Sequence, residues 1–286
     1  MRQDAFILRE PDRLRSCAVF SSPHSGRHYP ESFTARSRLS PLQLRLSEDA
    51  YVDRLYATAP ELGAPLLAAV MPRAWLDLNR GPTEMDPALV QGVRSAGLNP
   101  RVAAGLGVVP RVVAEGMPIY SGKITAADAQ ARVSGFHTPY HDTLAGLAEA
   151  ARRRFGIAVL FDCHSMPSDA LRSFAGVRSR RPEIVLGDRY GASAAPWVAD
   201  ATQEAFEAAG FQVARNTPFA GGYITQRHGR PQRGVHAIQI EIDRGLYLDE
   251  LAIAPGEGFP DMLMRMQGVV AALARIGQAE ARVAAE

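Results

Sequence analysis

Short apolar segments with the pattern of buried strands alternate along this chain with segments whose apolar residues recur at helical spacing. This alternation constrains the fold more than any other feature, because strands separated by helices pair mainly in parallel and are covered on both faces. The sequence therefore predicts an α/β fold with three αβα layers around a mostly parallel, mixed sheet. The predicted strands are residues 17–22, 65–71, 157–163, 183–186, 211–214 and 236–243.

Helical periodicity is found in five segments, which are residues 49–62, 125–133, 140–154, 195–209 and 260–284. Residues 81–123 contain seven glycines and five prolines without a steady period, which predicts a long irregular segment. No internal repeat or linker divides the chain. Residues 1–286 are therefore predicted to form a single α/β domain.

Composition and charge exclude several classes of protein. Hydrophobic residues make up 47% and charged residues 22%, which is ordinary for a globular protein with a large core. The net charge of +2, without a run of five like charges, argues against a nucleic-acid partner. No apolar stretch is long enough to span a membrane and no signal peptide is evident, so we expect a cytoplasmic location. Cys17 and Cys163 lack CxxC spacing and are expected to be buried thiols.

Several familiar catalytic motifs are missing. The sequence contains no GxSxG, HExxH, P-loop or complete GxGxxG, which argues against serine hydrolases, zincins and nucleotide-binding proteins. Two histidines instead follow predicted strands directly, His24 after residues 17–22 and His164 after residues 157–163. Open α/β sheets bind ligands beyond the carboxyl ends of their strands, so both histidines are candidate metal ligands. Structural histidines held by hydrogen bonds are the alternative.

A glutamate lies inside the predicted strand 236–243. Strict alternation places three isoleucines on one face of this strand and Gln239 and Glu241 on the other. Burying a carboxylate inside a strand costs free energy unless a partner compensates its charge. A metal beside the carboxylate would be such a partner, and the carboxylate would then serve as a general base. An ion pair with a distant arginine would explain the same residue equally well.

The segment WLDLNR, residues 75–80, offers groups that suit a substrate carboxylate. Strand alternation separates Asn79 from Arg80, but Gly81-Pro82 ends any strand there and allows both to reach one ligand. An arginine fork beside an amide fits a carboxylate group. A capped arginine on the surface is the alternative.

Two further segments carry weaker signals. FHTPYH, residues 136–141, is predicted to open a helix, where its histidines would act in the site, cap the helix or face solvent. Residues 219–230 form a glycine-rich segment with cationic residues at its tip. Paired glycines allow close approach to a ligand, although they also occur in ordinary hairpins.

Eight segments follow one another along the chain: His24-Ser-Gly, Asp49 with the following VDRLY, Asp77-Leu-Asn-Arg80, Pro139-Tyr-His141, Asp162-Cys-His164, Leu186-Gly-Asp188, Gly221-Gly-Tyr223 and Gln239-Ile-Glu241. They occur in the order seen in N-formylglutamate amidohydrolases, and the chain resembles that family over roughly residues 18–250. The family is similar to zinc-dependent exopeptidases. The resemblance implies hydrolysis of N-formyl-L-glutamate to formate and L-glutamate, the reaction of histidine degradation.

The resemblance also implies one divalent metal, expected to be Zn²⁺, held by His24, His164 and a carboxylate. Zinc carboxypeptidases supply that carboxylate as a glutamate three residues after the first histidine, where this chain has Arg27. The family pattern places an aspartate at Asp49, which would otherwise be a charge at a helix terminus. Asp53, one turn later, is the alternative ligand.

The remaining roles follow from the same resemblance. Glu241 is expected to be the general base. The residues expected to bind the substrate are Arg73, Asn79, Arg80, His141, Tyr223 and Arg227. A deacylase of another N-acyl amino acid, a carboxypeptidase-like enzyme and a catalytically silent protein that binds an acidic metabolite are the alternatives.

Overall fold

The computed structural model describes residues 4–94, 99–174 and 181–277. Its strands are β1 (Phe6–Arg9), β2 (Ala18–Ser22), β3 (Leu66–Ala69), β4 (Val112–Val113), β5 (Met117–Pro118), β6 (Ala158–Met166), β7 (Ile184–Gly187), β8 (Val213–Arg215), β9 (Val235–Asp243), β10 (Leu248–Asp249) and β11 (Ala254–Pro255). Its α-helices are α1 (Glu31–Thr34), α2 (Pro41–Arg45), α3 (Val52–Leu55), α4 (Pro100–Ala103), α5 (Ala126–Arg132), α6 (Thr138–Phe155), α7 (Pro196–Ala208), α8 (Tyr223–His228) and α9 (Phe259–Leu273). None of these helices combines the length and apolar character needed to cross a membrane.

A seven-stranded sheet in the order β1-β3-β2-β6-β9-β7-β8 forms the centre of the fold. The pairs β2–β6, β6–β9 and β7–β8 are parallel, and β7–β9 is antiparallel. The predicted mixed α/β fold with a mostly parallel sheet is therefore confirmed, while the likeness to zinc-dependent exopeptidases stays a prediction.

Strands β6 and β9 pair along their whole length, and this register positions functional side chains. Asp162 lies opposite Gln239, and His164 lies opposite Glu241. Directly paired residues of neighbouring strands have their side chains on the same face of the sheet. Asp162, His164, Gln239 and Glu241 therefore share one face of the sheet.

The chain divides into two compact units. One unit comprises residues 1–7, 23–50 and 68–143 and contains the predicted irregular segment. The other comprises residues 8–22, 51–67 and 144–286 and contains strands β2 and β6 to β9. That the chain forms a single domain stays a prediction.

Two predicted elements differ from the structure in ways that matter for the site. The helix expected at residues 49–62 is reduced to α3 and a 3₁₀ turn, because Tyr51 adopts a left-handed φ of 63° and Pro60 cannot donate a helical hydrogen bond. Strand β6 continues to Met166, so His164 lies within the strand rather than after it.

His236, near the start of β9, makes a hydrogen bond that depends on its protonation state. The Ala195 N–H, directly before α7, donates to His236 Nδ1 over 3.2 Å, and the Trp197 ring packs edge-on against the imidazole. Burial lowers the pKa of His236. A protonated ring would lose hydration and could not accept this bond.

We therefore expect His236 to weaken folding as the pH falls. Because its pKa is lower in the folded than in the unfolded chain, its contribution is complete above the unfolded pKa of about 6.5 and decreases below it. His236→Asn keeps an acceptor near the Nδ1 position but does not titrate. Urea unfolding at about pH 7.5 and about pH 5.5 should show a smaller loss of unfolding free energy in the variant than in the wild type. Equal losses in both proteins would contradict this role.

Candidate active site

The three residues predicted as metal ligands, His24, Asp49 and His164, form one group. Each offers a nitrogen or oxygen ligand atom, and these atoms all lie within 4.8 Å of one another. All three side chains are buried, and His24 Nδ1 lies 3.3 Å from Asp49 Oδ2. Two imidazoles and a carboxylate form a donor set that suits Zn²⁺ and similar ions, and three ligands leave a coordination position for water or substrate. Asp53 is not a member of this group.

The backbone around His24 is fixed by close packing. The Asp49 N–H donates to the His24 carbonyl over 3.0 Å, which links the two ligand residues directly. A Cβ added at Gly26 would lie 2.1 Å from the Met71 carbonyl oxygen, so no larger residue fits there. The HSG segment therefore needs its glycine in order to hold His24 in place.

A buried carboxylate, Asp77, orients His24. Its Oδ1 lies 2.7 Å from His24 Nε2, while the Arg73 Nε–H donates to Oδ2 over 3.1 Å. Burial alone would raise the pKa of Asp77, but His24, Arg73 and Arg80 hold that pKa well below its usual range. An ionised Asp77 accepts a hydrogen from Nε2, which leaves Nδ1 as the coordinating nitrogen.

His164 also has a buried carboxylate beside its ring. Asp162, two residues earlier on the same face of β6, has Oδ1 2.9 Å from His164 Nε2. Our sequence reasoning included neither Asp77 nor Asp162 among the site residues. The signal that could have identified Asp162 is its position two residues before a candidate ligand in a strand.

Glu241 lies on the predicted face of β9, directly opposite His164. Its side chain is buried, and the Gln239 Nε2–H donates to its Oε1 over 2.6 Å. This hydrogen bond fixes the orientation of the carboxylate. The register therefore places a carboxylate beside one candidate metal ligand.

The segment carrying Asn79 and Arg80 is not a strand. Residues 72–80 form turns, held in part by the Asn79 N–H, which donates to Asp77 Oδ1 over 2.8 Å. The prediction of strand alternation was wrong here, because side-chain hydrogen bonds fix the backbone instead of a ladder.

Arg80 is buried, so the alternative of a surface arginine is wrong. Its Nε donates to the Leu106 carbonyl over 3.0 Å, and its Nη1 donates to the Asn79 carbonyl over 2.9 Å. Burial lowers the pKa of Arg80, and the Asp77 carboxylate counters this effect. Nη2 has no hydrogen-bond partner within the part of the chain that the structure describes.

The histidines of residues 136–141 neither cap a helix nor face solvent. His137 and His141 are both buried, and their ring centroids are 4.3 Å apart. His141 Nε2 lies 2.8 Å from the Leu78 carbonyl, so any substrate contact of this ring would use its other nitrogen. A π-turn at Val133–His137 joins α5 to α6.

The glycine-rich segment approaches strand β7 closely. Gly187 lies opposite Gln239, and a Cβ added there would lie 2.6 Å from the Ala220 carbonyl carbon. The segment leads into α8, where the exposed Arg227 donates from Nη1 to the half-buried Tyr223 hydroxyl over 3.1 Å. The segment is therefore anchored beside the strand that pairs with Glu241.

The chain is similar to known proteins over most of its length. The model of the family described as N-formylglutamate amidohydrolase matches residues 16–248. The N-formylglutamate deformylase of Pseudomonas aeruginosa is 33% identical over 243 residues, which is 84% of this chain and 85% of the relative. The deformylase of Pseudomonas putida is 30% identical over 236 residues, which is 81% of this chain and 82% of the relative.

A solved structure agrees with both matches. The crystal structure of N-formylglutamate amidohydrolase from Ralstonia eutropha JMP134 has a TM-score of 0.86 and 33% identity, covering 97% of this chain and 99% of that one. The resemblance expected from the ordered motifs is thereby confirmed. This chain belongs to the N-formylglutamate amidohydrolase family.

Proposed function

We propose that this protein hydrolyses N-formyl-L-glutamate to formate and L-glutamate, using a zinc ion held by His24, Asp49 and His164. The observation that carries the proposal is the buried group of two histidines and one aspartate, with Glu241 paired opposite one of the histidines. The activity named for the Pseudomonas relatives supports the choice of substrate. Two buried free cysteines accord with a cytoplasmic location, and the family resemblance implies a role in histidine degradation.

The donor set fits a catalytic zinc site, because each histidine has one ring nitrogen within 2.9 Å of a buried carboxylate oxygen. When bound, a divalent ion there would polarise the substrate carbonyl and lower the pKa of a water molecule. Asp77 fixes the orientation of the His24 ring through its hydrogen bond, and the Asp162 carboxylate lies beside the His164 ring.

Glu241 performs the proton transfers. Its carboxylate accepts a proton from the water that attacks the formyl carbon, and delivers this proton to the glutamate nitrogen as the C–N bond breaks. The Gln239 amide fixes the orientation of the carboxylate through the bond to Oε1. Formate leaves with the oxygen of the water, and L-glutamate leaves as the amine.

Cationic side chains suit the two carboxylates of the substrate. Arg73, Asn79 and Arg80 belong to the same turns as Asp77, and Arg80 retains Nη2 for a ligand. His141, Tyr223 and Arg227 complete the proposed substrate contacts. Arg227 is exposed, so it would close on the substrate from the solvent side.

Arg80→Lys is expected to lower kcat/KM for N-formyl-L-glutamate by roughly 10- to 100-fold, because lysine cannot hold both backbone carbonyls and a carboxylate with one planar fork. The matched control is Arg101→Lys, which changes an exposed arginine and should leave kcat/KM within about 2-fold. Steady-state kinetics of the three proteins makes the comparison. An unchanged kcat/KM in Arg80→Lys would remove this residue from the substrate site.

The proposed activity is tested by measuring formate or amine release from a panel of substrates in the presence of zinc. N-formyl-L-glutamate should be hydrolysed much faster than N-acetyl-L-glutamate, N-formyl-L-alanine or a dipeptide. A preference for the acetylated compound would indicate a deacylase of other N-acyl amino acids. Absence of turnover, with binding of N-formyl-L-glutamate, would indicate a silent binding protein.

A further inference from the structure

One long helical segment contacts the turn of residues 75–80 at three backbone carbonyls. Arg132 Nη1 donates to the Trp75 carbonyl over 3.0 Å. His141 Nε2 donates to the Leu78 carbonyl, and His137 Nε2 donates to the Arg80 carbonyl, each over 2.8 Å. A carbonyl oxygen can only accept, so both histidines carry a hydrogen on Nε2.

The π-turn makes this alignment possible. Successive residues of a regular α-helix are about 100° apart, so Arg132 and His137 would be separated by about 140° around the axis. The π-turn at Val133–His137 places one additional residue in that turn. With this additional residue, Arg132 lies at the angle around the helix axis that a residue four positions before His137 would have in a regular α-helix. Arg132 therefore faces the same side as His137 and His141.

The donors are themselves held firmly. Asp128 binds the Arg132 guanidinium through both carboxylate oxygens, at 3.1 and 3.0 Å, and the Tyr120 hydroxyl accepts from Nη1. The Trp75 ring stacks at 4.8 Å from the guanidinium carbon of Arg132, and Phe136 packs edge-on against the same ring. The helical segment therefore makes hydrogen bonds to both ends of the turn, at the Trp75 and Arg80 carbonyls.

We infer that Arg132, His137 and His141 are positioning residues that hold this turn in the conformation in which Asn79 and Arg80 meet the substrate. The inference rests on the proposed function, because it assigns the three residues to the site through the turn. His137 acts most directly, since its bond reaches the carbonyl of Arg80 itself.

The test compares His137→Leu, which removes the donor, with His137→Gln, whose amide nitrogen lies near the position of Nε2. His137→Leu should raise KM for N-formyl-L-glutamate by roughly 5- to 20-fold, with a smaller change in kcat and unchanged metal content. His137→Gln should stay close to the wild type. Ser134→Ala, in the same π-turn, is the matched control and should also keep the wild-type KM.

Hydrogen–deuterium exchange gives a readout that does not depend on activity. The amides of Asn79 and Gly81 donate to Asp77 and Glu84, and they should exchange faster in His137→Leu than in His137→Gln. A wild type without formate release would refute the proposed function, whereas unchanged exchange would refute the positioning role. If the wild type is active and KM is equal in all variants, the positioning role is also refuted. Equal impairment of His137→Leu and His137→Gln would refute it as well. If His137→Leu fails to fold, a strongly raised KM in His137→Gln would refute the positioning role.

Discussion

Glu241→Gln is expected to bind about one metal ion per chain, as in the wild type, and to lose on the order of 10²–10⁴-fold in kcat. Glutamine keeps the shape of the side chain but cannot accept a proton from water. Because the carboxylate lies opposite His164 in the strand register, its removal affects the chemistry of the site without removing a proposed ligand. Steady-state kinetics and elemental analysis of the same preparation measure both effects.

Asp243→Asn is the matched control for this prediction. Asp243 lies two residues further along the same face of β9, where it pairs with Arg181 over 2.9 Å. Its replacement removes a carboxylate from the strand and should leave kcat within a few-fold. Loss of metal together with activity in Glu241→Gln would make Glu241 a ligand, and retention of activity would refute its role as the base.

His164→Ala is expected to lose most of its metal and, with it, the activity. It removes one of three donors from a buried group, and the remaining pair binds a divalent ion far more weakly. Elemental analysis after dialysis should show occupancy below about a tenth of the wild-type value. Wild-type occupancy would exclude His164 from the metal site.

The metal content of two further variants distinguishes a residue that coordinates the metal from a residue that only orients a ligand. Asp162→Asn should weaken metal affinity by about 10- to 100-fold, because it removes the carboxylate charge that lies 2.9 Å from His164 Nε2. His236→Asn changes a buried histidine outside the group and should retain the metal. This order of occupancies is specific to a site in which His164 coordinates and Asp162 orients.

The parts of the structure that the sequence predicts well are those determined by local pattern. Strand β6 begins with a run of apolar residues and strand β9 has isoleucines at alternate positions, and the alternation placed Glu241 on the face where the structure has it. The candidate ligands His24 and His164 followed from their position near strand ends. Asp49 became a candidate only through the family resemblance, because nothing in the local sequence links it to either histidine.

The parts that sequence reasoning missed depend on contacts between distant segments. Asp77 orients His24 across 53 positions of the chain, and His137 contacts Arg80 across 57. Residues 75–80 have the alternation of a strand, but hydrogen bonds to side chains override it. The π-turn has no signature in the periodicity that would bring Arg132 and His137 to the same side.

The most direct test of the whole account is formate release from N-formyl-L-glutamate by protein stripped of metal and then reloaded with one equivalent of zinc. We predict that the stripped protein is inactive, that zinc restores turnover at a stoichiometry of about one per chain, and that His164→Ala is not restored. Full activity of the metal-free protein, or restoration of His164→Ala by the same addition of zinc, would contradict it.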